Sequence, residues 1–285
     1  MADLNAGCMP GVLLSVKGAG TVSSLNNLKN DWENLAGRDA LSAILTDDSK
    51  AGGKWDIAEF MATGDAEIET VMNHLASIGQ APNFAGAALD FGCGVGRLTQ
   101  ALARRFASSV GVDISHEMVR QAESLNQYPH CRYVASSAVR LPFADATFSF
   151  VYSNIVLQHV PRHLAKNYLR EFVRVLTPGG VLVFGVQDSF AAPDLSSRMI
   201  RVRHVLHLRS RVRVALKRGP GDMKMHCLPE HIVRRTLGSA RVVDIQFTNT
   251  AARDFNGKLV YLDQAPRSGY VGKQYCVITP HSSGT

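Results

Sequence analysis

Hydrophobic positions follow two periodicities along this 285-residue chain. Short apolar runs predict five strands, and apolar residues four positions apart predict the helices between them. In the helix expected at 163–176, Leu164, Tyr168 and Phe172 share one face. Strands that alternate with helices predict an α/β fold with a mostly parallel sheet. The five strands are expected near Ala87–Phe91, 109–112, 132–135, 147–153 and 181–186.

The regions outside this alternation have other patterns. Residues 1–26 are rich in Gly, Ser, Ala and Asn and predict a mobile leader. Residues 27–80 have helical periodicity and predict an N-terminal helical cap, in which 55–60 either packs on the sheet or forms part of a lid. Residues 81–285 are expected to form the core, with two last strands near 241–247 and 275–279 and a basic helical insertion at about 189–225.

A glycine-rich turn follows the first predicted strand. Gly92, Gly94 and Gly96 allow positive φ angles and a close approach of a ligand to the backbone. The predicted helix after them offers free N–H groups. Asp113 ends the second predicted strand about twenty residues further on, where an acid can accept hydrogen bonds from a ribose diol. Strand, turn, helix and acid together predict a nucleotide-binding crossover.

The sequence resembles the class I S-adenosylmethionine (SAM)-dependent methyltransferases, in the branch that acts on small molecules. The resemblance covers about residues 55–190 and implies a Rossmann-like three-layer sandwich with a seven-stranded, mostly parallel sheet and an antiparallel final strand. It also implies SAM as the cofactor. The motifs that carry it, in order, are the stretch from Asp90 to Gly96, then Asp113, Leu141-Pro142-Phe143 and Leu176-Thr177-Pro178-Gly179-Gly180.

The resemblance assigns the glycine-rich turn to the methionine part of SAM. Backbone groups of Gly92, Cys93 and Gly94 are expected beside it, in the turn that also contains Gly96. Asp90 is expected to steady the turn, either directly or through the methionine ammonium group.

The same resemblance assigns the next two strand ends to the nucleoside. Asp113 is expected to accept the ribose hydroxyls, with Ile114 against the adenine. Ser137, followed by Ala138, stands where the family usually has an acid that contacts the adenine amine. Because a hydroxyl carries no charge, weaker selection for adenine is expected.

Residues beyond the fourth strand are candidates for contact with the reacting methyl group. The resemblance places Ser153 and Asn154 at the methionine end of the cofactor. His159 lies a few residues further on and is either a general base for a hydroxyl acceptor or a structural residue. His226 is a second candidate catalytic residue, provided that the basic insertion folds back over the site.

The chain has a net charge of +7 and a pI near 9.3, and much of its positive charge lies in one stretch. From Arg198 to Arg218 there are many arginines and no acid, and apolar residues at helical spacing predict a basic amphipathic helix. Three interpretations remain: a solvated face, a cap that attracts an anionic acceptor, and peripheral contact with acidic membrane lipid. Nucleic acid is a less favoured partner, because aromatic residues for base stacking are not interleaved there.

Other features of the composition restrict the location and the chemistry. The five cysteines are scattered without a Cys-x-x-Cys pair, so no metal site is expected. No apolar run approaches the roughly 18 residues of a membrane span. The N-terminus has acidic Asp3 and lacks a basic region, so a signal peptide is not expected. The expected location is therefore the cytoplasm.

The predicted function is transfer of a methyl group from SAM to an O or N atom of a small-molecule acceptor. An anionic or lipid-like acceptor is a hypothesis from charge alone. One alternative is an NAD(P)-dependent oxidoreductase, although the third glycine stands one residue early for that fingerprint. The other alternative is a SAM-fold binding protein without catalysis.

Overall fold

The computed structural model describes residues 19–47, 49–191, 225–252 and 255–280. Within these ranges the chain forms six helices, α1 (Ala19–Ile44), α2 (Ile57–Ser77), α3 (Arg97–Ala103), α4 (His116–Ser124), α5 (Arg162–Val175) and α6 (Glu230–Leu237). It also forms eight strands, β1 (Ala87–Phe91), β2 (Ser108–Asp113), β3 (Cys131–Ala135), β4 (Phe148–Ser153), β5 (Leu176–Ala191), β6 (Arg241–Thr248), β7 (Tyr261–Leu262) and β8 (Gly269–Ile278).

The strands form one sheet in the order β3-β2-β1-β4-β5-β8-β6-β7. The first five strands in this order are parallel, and β8 runs antiparallel to both β5 and β6. The predicted α/β class with an antiparallel final strand is therefore confirmed. The sheet has eight strands rather than seven, because Tyr261 and Leu262 pair with the end of β6. Two residues are too few for a strand periodicity to be seen in sequence.

Helices cover both faces of the sheet, as a three-layer sandwich requires. Side chains of consecutive strand residues point to opposite faces. In β1, Leu89 belongs to the buried cluster that includes α5 and α6, whereas Ala88 belongs to the cluster that includes α2 and α3. The apolar face predicted for 163–176 is the face of α5 that packs on the sheet.

The N-terminal helix differs from the predicted boundaries. α1 begins at Ala19, so residues 19–26 are helical although they fall within the predicted mobile leader; residues 1–18 lie outside the described residues. Within this part of α1, Leu25 is buried in the main core cluster. A kink at Asp39 divides α1, and the carboxylate of Asp39 accepts the N–H of Ser42 at 3.1 Å and that of Gly53 at 2.8 Å.

The predicted insertion at 189–225 begins later than expected. β5 continues to Ala191, and its last residues pair with the beginning of β8, where Phe190 lies opposite Tyr270. Cross-strand pairing with a distant segment makes residues 189–191 a strand rather than part of a helix. The predicted basic helix from Arg198 to Arg218 lies outside the described residues.

Candidate active site

A cavity of about 720 Å³ lies at the carboxyl ends of β1, β2 and β4. In parallel α/β sheets, ligands bind beyond the carboxyl ends of the strands, where the strand order reverses. Here the order reverses between β1 and β4. Residues from the glycine-rich turn, from the ends of β2 and β4, and from α1 line the cavity, together with Met225, Thr250, Ala251, Ala252, Phe255 and Tyr270.

The glycine-rich turn has the backbone conformation that the sequence predicts. The φ angles of Gly92, Gly94 and Gly96 are 78°, 53° and 88°. Residues with a side chain rarely adopt such angles. The N–H groups of Gly92 and Cys93 donate to the carbonyl oxygen of Val112 at 2.8 and 3.1 Å, so the turn is fixed to the end of β2.

The glycines of this turn serve two different purposes. A Cβ at Gly92 or Gly94 would collide with side chains that themselves line the cavity, those of Val156 and Ile44. At Gly96 it would collide with the Tyr133 phenol, and Gly96 does not line the cavity. Gly92, Cys93 and Gly94 therefore form the cavity floor, whereas Gly96 permits packing behind it.

Asp113 connects the turn with the end of β2 and lines the cavity beside Ile114. Its Oδ2 accepts the N–H of Gly94 and its Oδ1 accepts the N–H of Ser115, each at 2.9 Å. Burial raises the pKa of Asp113, and these backbone hydrogen bonds oppose the rise. A carboxylate has about four acceptor sites. Both oxygens can therefore also accept hydrogen bonds from ribose hydroxyls.

Asp90 is buried beneath the turn and does not line the cavity. Its Oδ2 accepts a hydrogen bond from the Thr99 hydroxyl at 2.7 Å, which attaches α3 to β1. Its Oδ1 has no partner among the described residues. Burial raises the pKa of Asp90 to about 7, although the Thr99 hydrogen bond and the charge of Arg97 oppose the rise.

The end of β4 contributes a strained segment to the cavity wall. Ser153 is buried away from the cavity and donates to the carbonyl oxygen of Phe91 at 3.1 Å, whereas Asn154 lines the cavity. Ile155, also in the lining, has φ of 53°. A β-branched residue in this region is an outlier, at a cost of about 1–3 kcal/mol. The amide oxygen of Asn154 accepts the N–H of Ile155 at 3.1 Å.

The segment after β3 faces the cavity one residue earlier than expected. Ser137 is exposed and does not line the cavity, while Ser136 and Ala138 do. The N–H of Ser136 donates to the carbonyl oxygen of Asp113 at 2.8 Å, which turns this segment toward β2. Motif spacing pointed to Ser137, but the path of the backbone beyond β3 decides which neighbour faces inward.

The two predicted catalytic histidines differ in position. His159 lines the cavity, packs edge-on against Trp32 with ring centroids 5.8 Å apart, and its Nε2 lies 3.2 Å from the Gln158 amide nitrogen. His226 does not line the cavity. Its backbone N–H donates to the carbonyl oxygen of Gln158 at 2.7 Å, and its neighbour Met225 lines the cavity instead.

Helix α1 covers the cavity. Its apolar lining residues are Leu28, Trp32, Leu35, Ala43 and Ile44. The predicted alternative, a lid at 55–60, differs from this arrangement, because no residue of 55–60 lines the cavity. Trp55 and Phe60 are buried in a cluster that also contains Met118 and Phe255, two residues of the cavity wall.

Glu33 fixes this cover to the core, a contact that sequence reasoning missed. Its carboxylate accepts hydrogen bonds from the Ser115 hydroxyl and the His116 N–H at 2.8 Å and from the Glu117 N–H at 3.0 Å. Burial would raise the pKa of Glu33, but these hydrogen bonds hold it below its usual value. An anion at the positive end of α4 is stabilising. A helical pattern alone cannot show a contact with residues about eighty positions away.

Residues 89–184 match the family model described as a methyltransferase domain. The chain carries a class I SAM-dependent methyltransferase domain. The predicted family and its cofactor, SAM, are thereby confirmed, and the oxidoreductase alternative is not favoured.

Two curated relatives illustrate the sequence similarity of this chain. The malonyl-[acyl-carrier protein] O-methyltransferase of Pseudescherichia vulneris is 34% identical over 119 residues, which cover 42% of this chain and 46% of the relative. The trans-aconitate 2-methyltransferase of Streptomyces avermitilis is 29% identical over 160 residues, 52% of this chain and 55% of the relative. The chain thus spans about half the length of these relatives.

Solved structures are similar in fold. Phosphoethanolamine N-methyltransferase 1 of Haemonchus contortus superimposes with a TM-score of 0.60 and 14% identity, covering 93% of this chain and 51% of that protein. A SAM-dependent methyltransferase of Leishmania major superimposes with a TM-score of 0.55 and 16% identity, covering 89% of this chain and 82% of that protein. At such identities the similarity concerns the fold alone.

The residues of the cavity fit SAM. The turn exposes backbone at Gly92 to Gly94, and the carboxylate of Asp113 has acceptor sites left for a ribose. Ile114 and Met118 offer apolar surface beside it. In the described parts of the chain no group of three or more His, Cys, Asp or Glu could hold a metal ion. No helix there is long and apolar enough to cross a membrane.

Proposed function

We propose that this methyltransferase transfers the methyl group of SAM to an O or N atom of a small-molecule acceptor. The observation that carries the proposal is one cavity that contains both the predicted cofactor-binding residues and a covered, largely apolar compartment. Gly92 to Gly94, Asp113 and Asn154 line it from the ends of the strands, and apolar residues of α1 line it as well.

Bound SAM supplies an electrophilic methyl group on a sulfonium. The chain's own contribution is mainly positioning, which in well-oriented reactions supplies about 7–11 kcal/mol of the barrier. The glycine-rich turn and Asp113 hold the cofactor, while Trp32 and the other apolar residues of α1 exclude water from the acceptor. His159 is the proposed proton acceptor where the acceptor group is a hydroxyl. It is the predicted histidine that lines the cavity.

An anionic acceptor is the favoured class. Arg38 lines the cavity and forms no ion pair with any described residue. The carboxylate of Asp39, which also lines the cavity, is engaged by the N–H groups of Ser42 and Gly53. The segment from Arg198 to Arg218 adds positive charge to the sequence between Ala191 and Met225, and Met225 lines the cavity. Two relatives have names that specify carboxylate acceptors, malonyl and trans-aconitate.

Calorimetric titration of the full chain with SAM and with S-adenosylhomocysteine (SAH), its demethylated product, tests the cofactor site. Micromolar binding of both supports the proposal, and absence of both contradicts it. Methyl incorporation from labelled SAM into a panel of carboxylate, phosphate and neutral acceptors then tests the reaction. Binding of SAM without methylation of any acceptor would favour a catalytically silent binding protein.

The anionic acceptor is tested separately once an acceptor is found. Arg38→Gln is expected to raise the acceptor KM and to leave the SAM Kd unchanged, as is the joint replacement of Arg209, Arg211 and Arg213 with Gln. Arg140→Gln is the matched control, because Arg140 is exposed and does not line the cavity. An unchanged KM in both variants would refute the anionic class.

A further inference from the structure

A fully buried carboxylate, that of Glu67 in α2, joins three elements beside the cavity. Its Oε1 accepts hydrogen bonds from the Tyr152 hydroxyl and the Asn154 amide, each at 2.8 Å. Its Oε2 accepts a hydrogen bond from the Arg97 guanidinium, also at 2.8 Å. Arg97 begins α3, Tyr152 lies in β4, and Asn154 follows β4 directly. Because the side chains of Glu67 and Arg97 are 0% and 2% exposed, water cannot compete for this ion pair.

Two of the three donors line the cavity, whereas Glu67 itself does not. A carboxylate only accepts hydrogen bonds, so the amide nitrogen of Asn154 must face Glu67. The amide oxygen then faces the N–H of Ile155, from which it accepts at 3.1 Å. Glu67 thereby fixes the orientation of Asn154 and, through Asn154, the left-handed conformation of Ile155 in the cavity wall.

Stability alone is a poor explanation for this arrangement. Removing two charges from water is costly, and apolar replacements of a buried ion pair are often neutral or stabilising. The ion pair is also not needed to bring α2 and α3 together. Gly64, one turn before Glu67, already permits their close approach, because a Cβ there would lie 2.7 Å from Cγ of Arg97. The carboxylate instead determines the orientation of the Arg97 guanidinium and of the Asn154 amide.

We infer that Glu67 is a positioning residue of the methyl-transfer site. It fixes the side chains of Arg97 and Asn154, which form part of the cavity wall, and it acts from outside the cavity through these two side chains. The inference rests on the proposed function for the identity of the ligand.

Glu67→Gln tests the inference, because a Gln offers one oxygen to three donors and so releases Arg97 or Asn154. SAH affinity is measured by calorimetry, and Tm is measured without ligand. The matched control is Gln274→Met. Gln274 is buried in the same network, donating to the Tyr152 hydroxyl at 3.4 Å, but does not line the cavity.

Both variants are expected to lower the Tm, since each disturbs a buried polar network. Glu67→Gln is expected to raise the SAH Kd at least tenfold, and Gln274→Met less than twofold. An SAH Kd that is unchanged in Glu67→Gln, or that rises equally in both variants, would overturn the positioning role. Wild-type protein that does not bind SAH would instead overturn the proposed function, and the inference with it.

A second comparison avoids an unpaired buried charge, in case Glu67→Gln does not fold. The double variants Glu67→Gln/Arg97→Met and Glu67→Met/Arg97→Met both lack the ion pair. They differ in whether position 67 offers an acceptor to the Asn154 amide. The variant with Gln is expected to bind SAH at least fivefold more tightly, and equal affinities would overturn the inference.

Discussion

Asp90 is expected to make the free energy of unfolding fall as the pH rises from about 4 to about 7. Its carboxyl group is 1% exposed, and burial raises its pKa from 3.8 to about 7. The Thr99 hydrogen bond and the positive charge of Arg97 oppose the rise, while the negative charges of Glu67 and Asp113 add to it. The folded chain therefore keeps a proton that the unfolded chain releases above pH 4.

The sign and the size follow from this difference in proton binding. The contribution of Asp90 to stability is fully present below the pKa of the unfolded chain and is lost as the pH rises through the pKa in the folded chain. One pKa unit corresponds to about 1.36 kcal/mol. The difference between 3.8 and about 7 thus corresponds to on the order of 4 kcal/mol, fully expressed above about pH 7.

The variant Asp90→Asn isolates this contribution, because an amide has nearly the same shape and stays neutral. Its free energy of unfolding is expected to match that of the wild type near pH 4, to exceed it increasingly up to about pH 7, and to change little further at pH 8. Urea denaturation followed by circular dichroism at pH 4, 5, 6, 7 and 8, without SAM, gives both curves.

Asp263→Asn is the control, because Asp263 is exposed. Its curve is expected to run parallel to that of the wild type. A constant difference between Asp90→Asn and wild type from pH 4 to pH 8 would refute the reasoning. In that case Asp90 would be ionised in the folded chain throughout this range.

Three further changes test the cofactor site and the catalytic histidine. Asp113→Ala should weaken SAM binding at least tenfold by calorimetry, because hydrogen bonds to a charged group contribute roughly 1.5–3 kcal/mol each; normal affinity would place the cofactor elsewhere. Gly94→Ala should abolish SAH binding in the same assay, because φ is 53° and the new Cβ would lie 2.5 Å from Ile44. Gly79→Ala is the control for this change. Gly79 also has a positive φ, 68°, but a Cβ there would meet no atom within 4 Å, so this variant should strain only the backbone and leave SAH binding intact. His159→Asn should lower kcat about 10²–10⁴-fold with a hydroxyl acceptor, with little change in the SAH Kd, and an unchanged kcat would exclude it as the base.

The parts of the fold that sequence predicted are those set by local constraints. The first four strands and α5 were found close to their observed bounds because their apolar periodicity is continuous. The conformation of the glycine-rich turn was predictable because positive φ angles restrict the residue type. The two-residue β7 and the pairing of Phe190 in β5 with Tyr270 in β8 were not predicted, because only hydrogen bonding with distant residues defines them.

The cover of the site shows the same limit. Trp32 and Trp55 both stand in helical patterns of the N-terminal region, and nothing local distinguishes them. Trp32 faces the cavity because Glu33, its neighbour, caps α4 and so fixes the rotation of α1. Trp55 instead packs edge-on against Phe60 at a centroid distance of 5.4 Å. Tertiary contacts therefore determine which of the two tryptophans lines the cavity.

The two sides of the cavity therefore have different origins in the chain. The residues with predicted cofactor roles all lie within 89–184, the region that matches the methyltransferase family. Much of the rest of the cavity wall lies outside it, including Trp32 and Leu35 in α1, Met225 before α6 and Tyr270 in β8. Relatives that share the matched region can thus share SAM and differ in acceptor. Mutations in these wall residues are expected to alter the acceptor KM while SAM affinity is preserved, which makes α1 the first place to change acceptor selection.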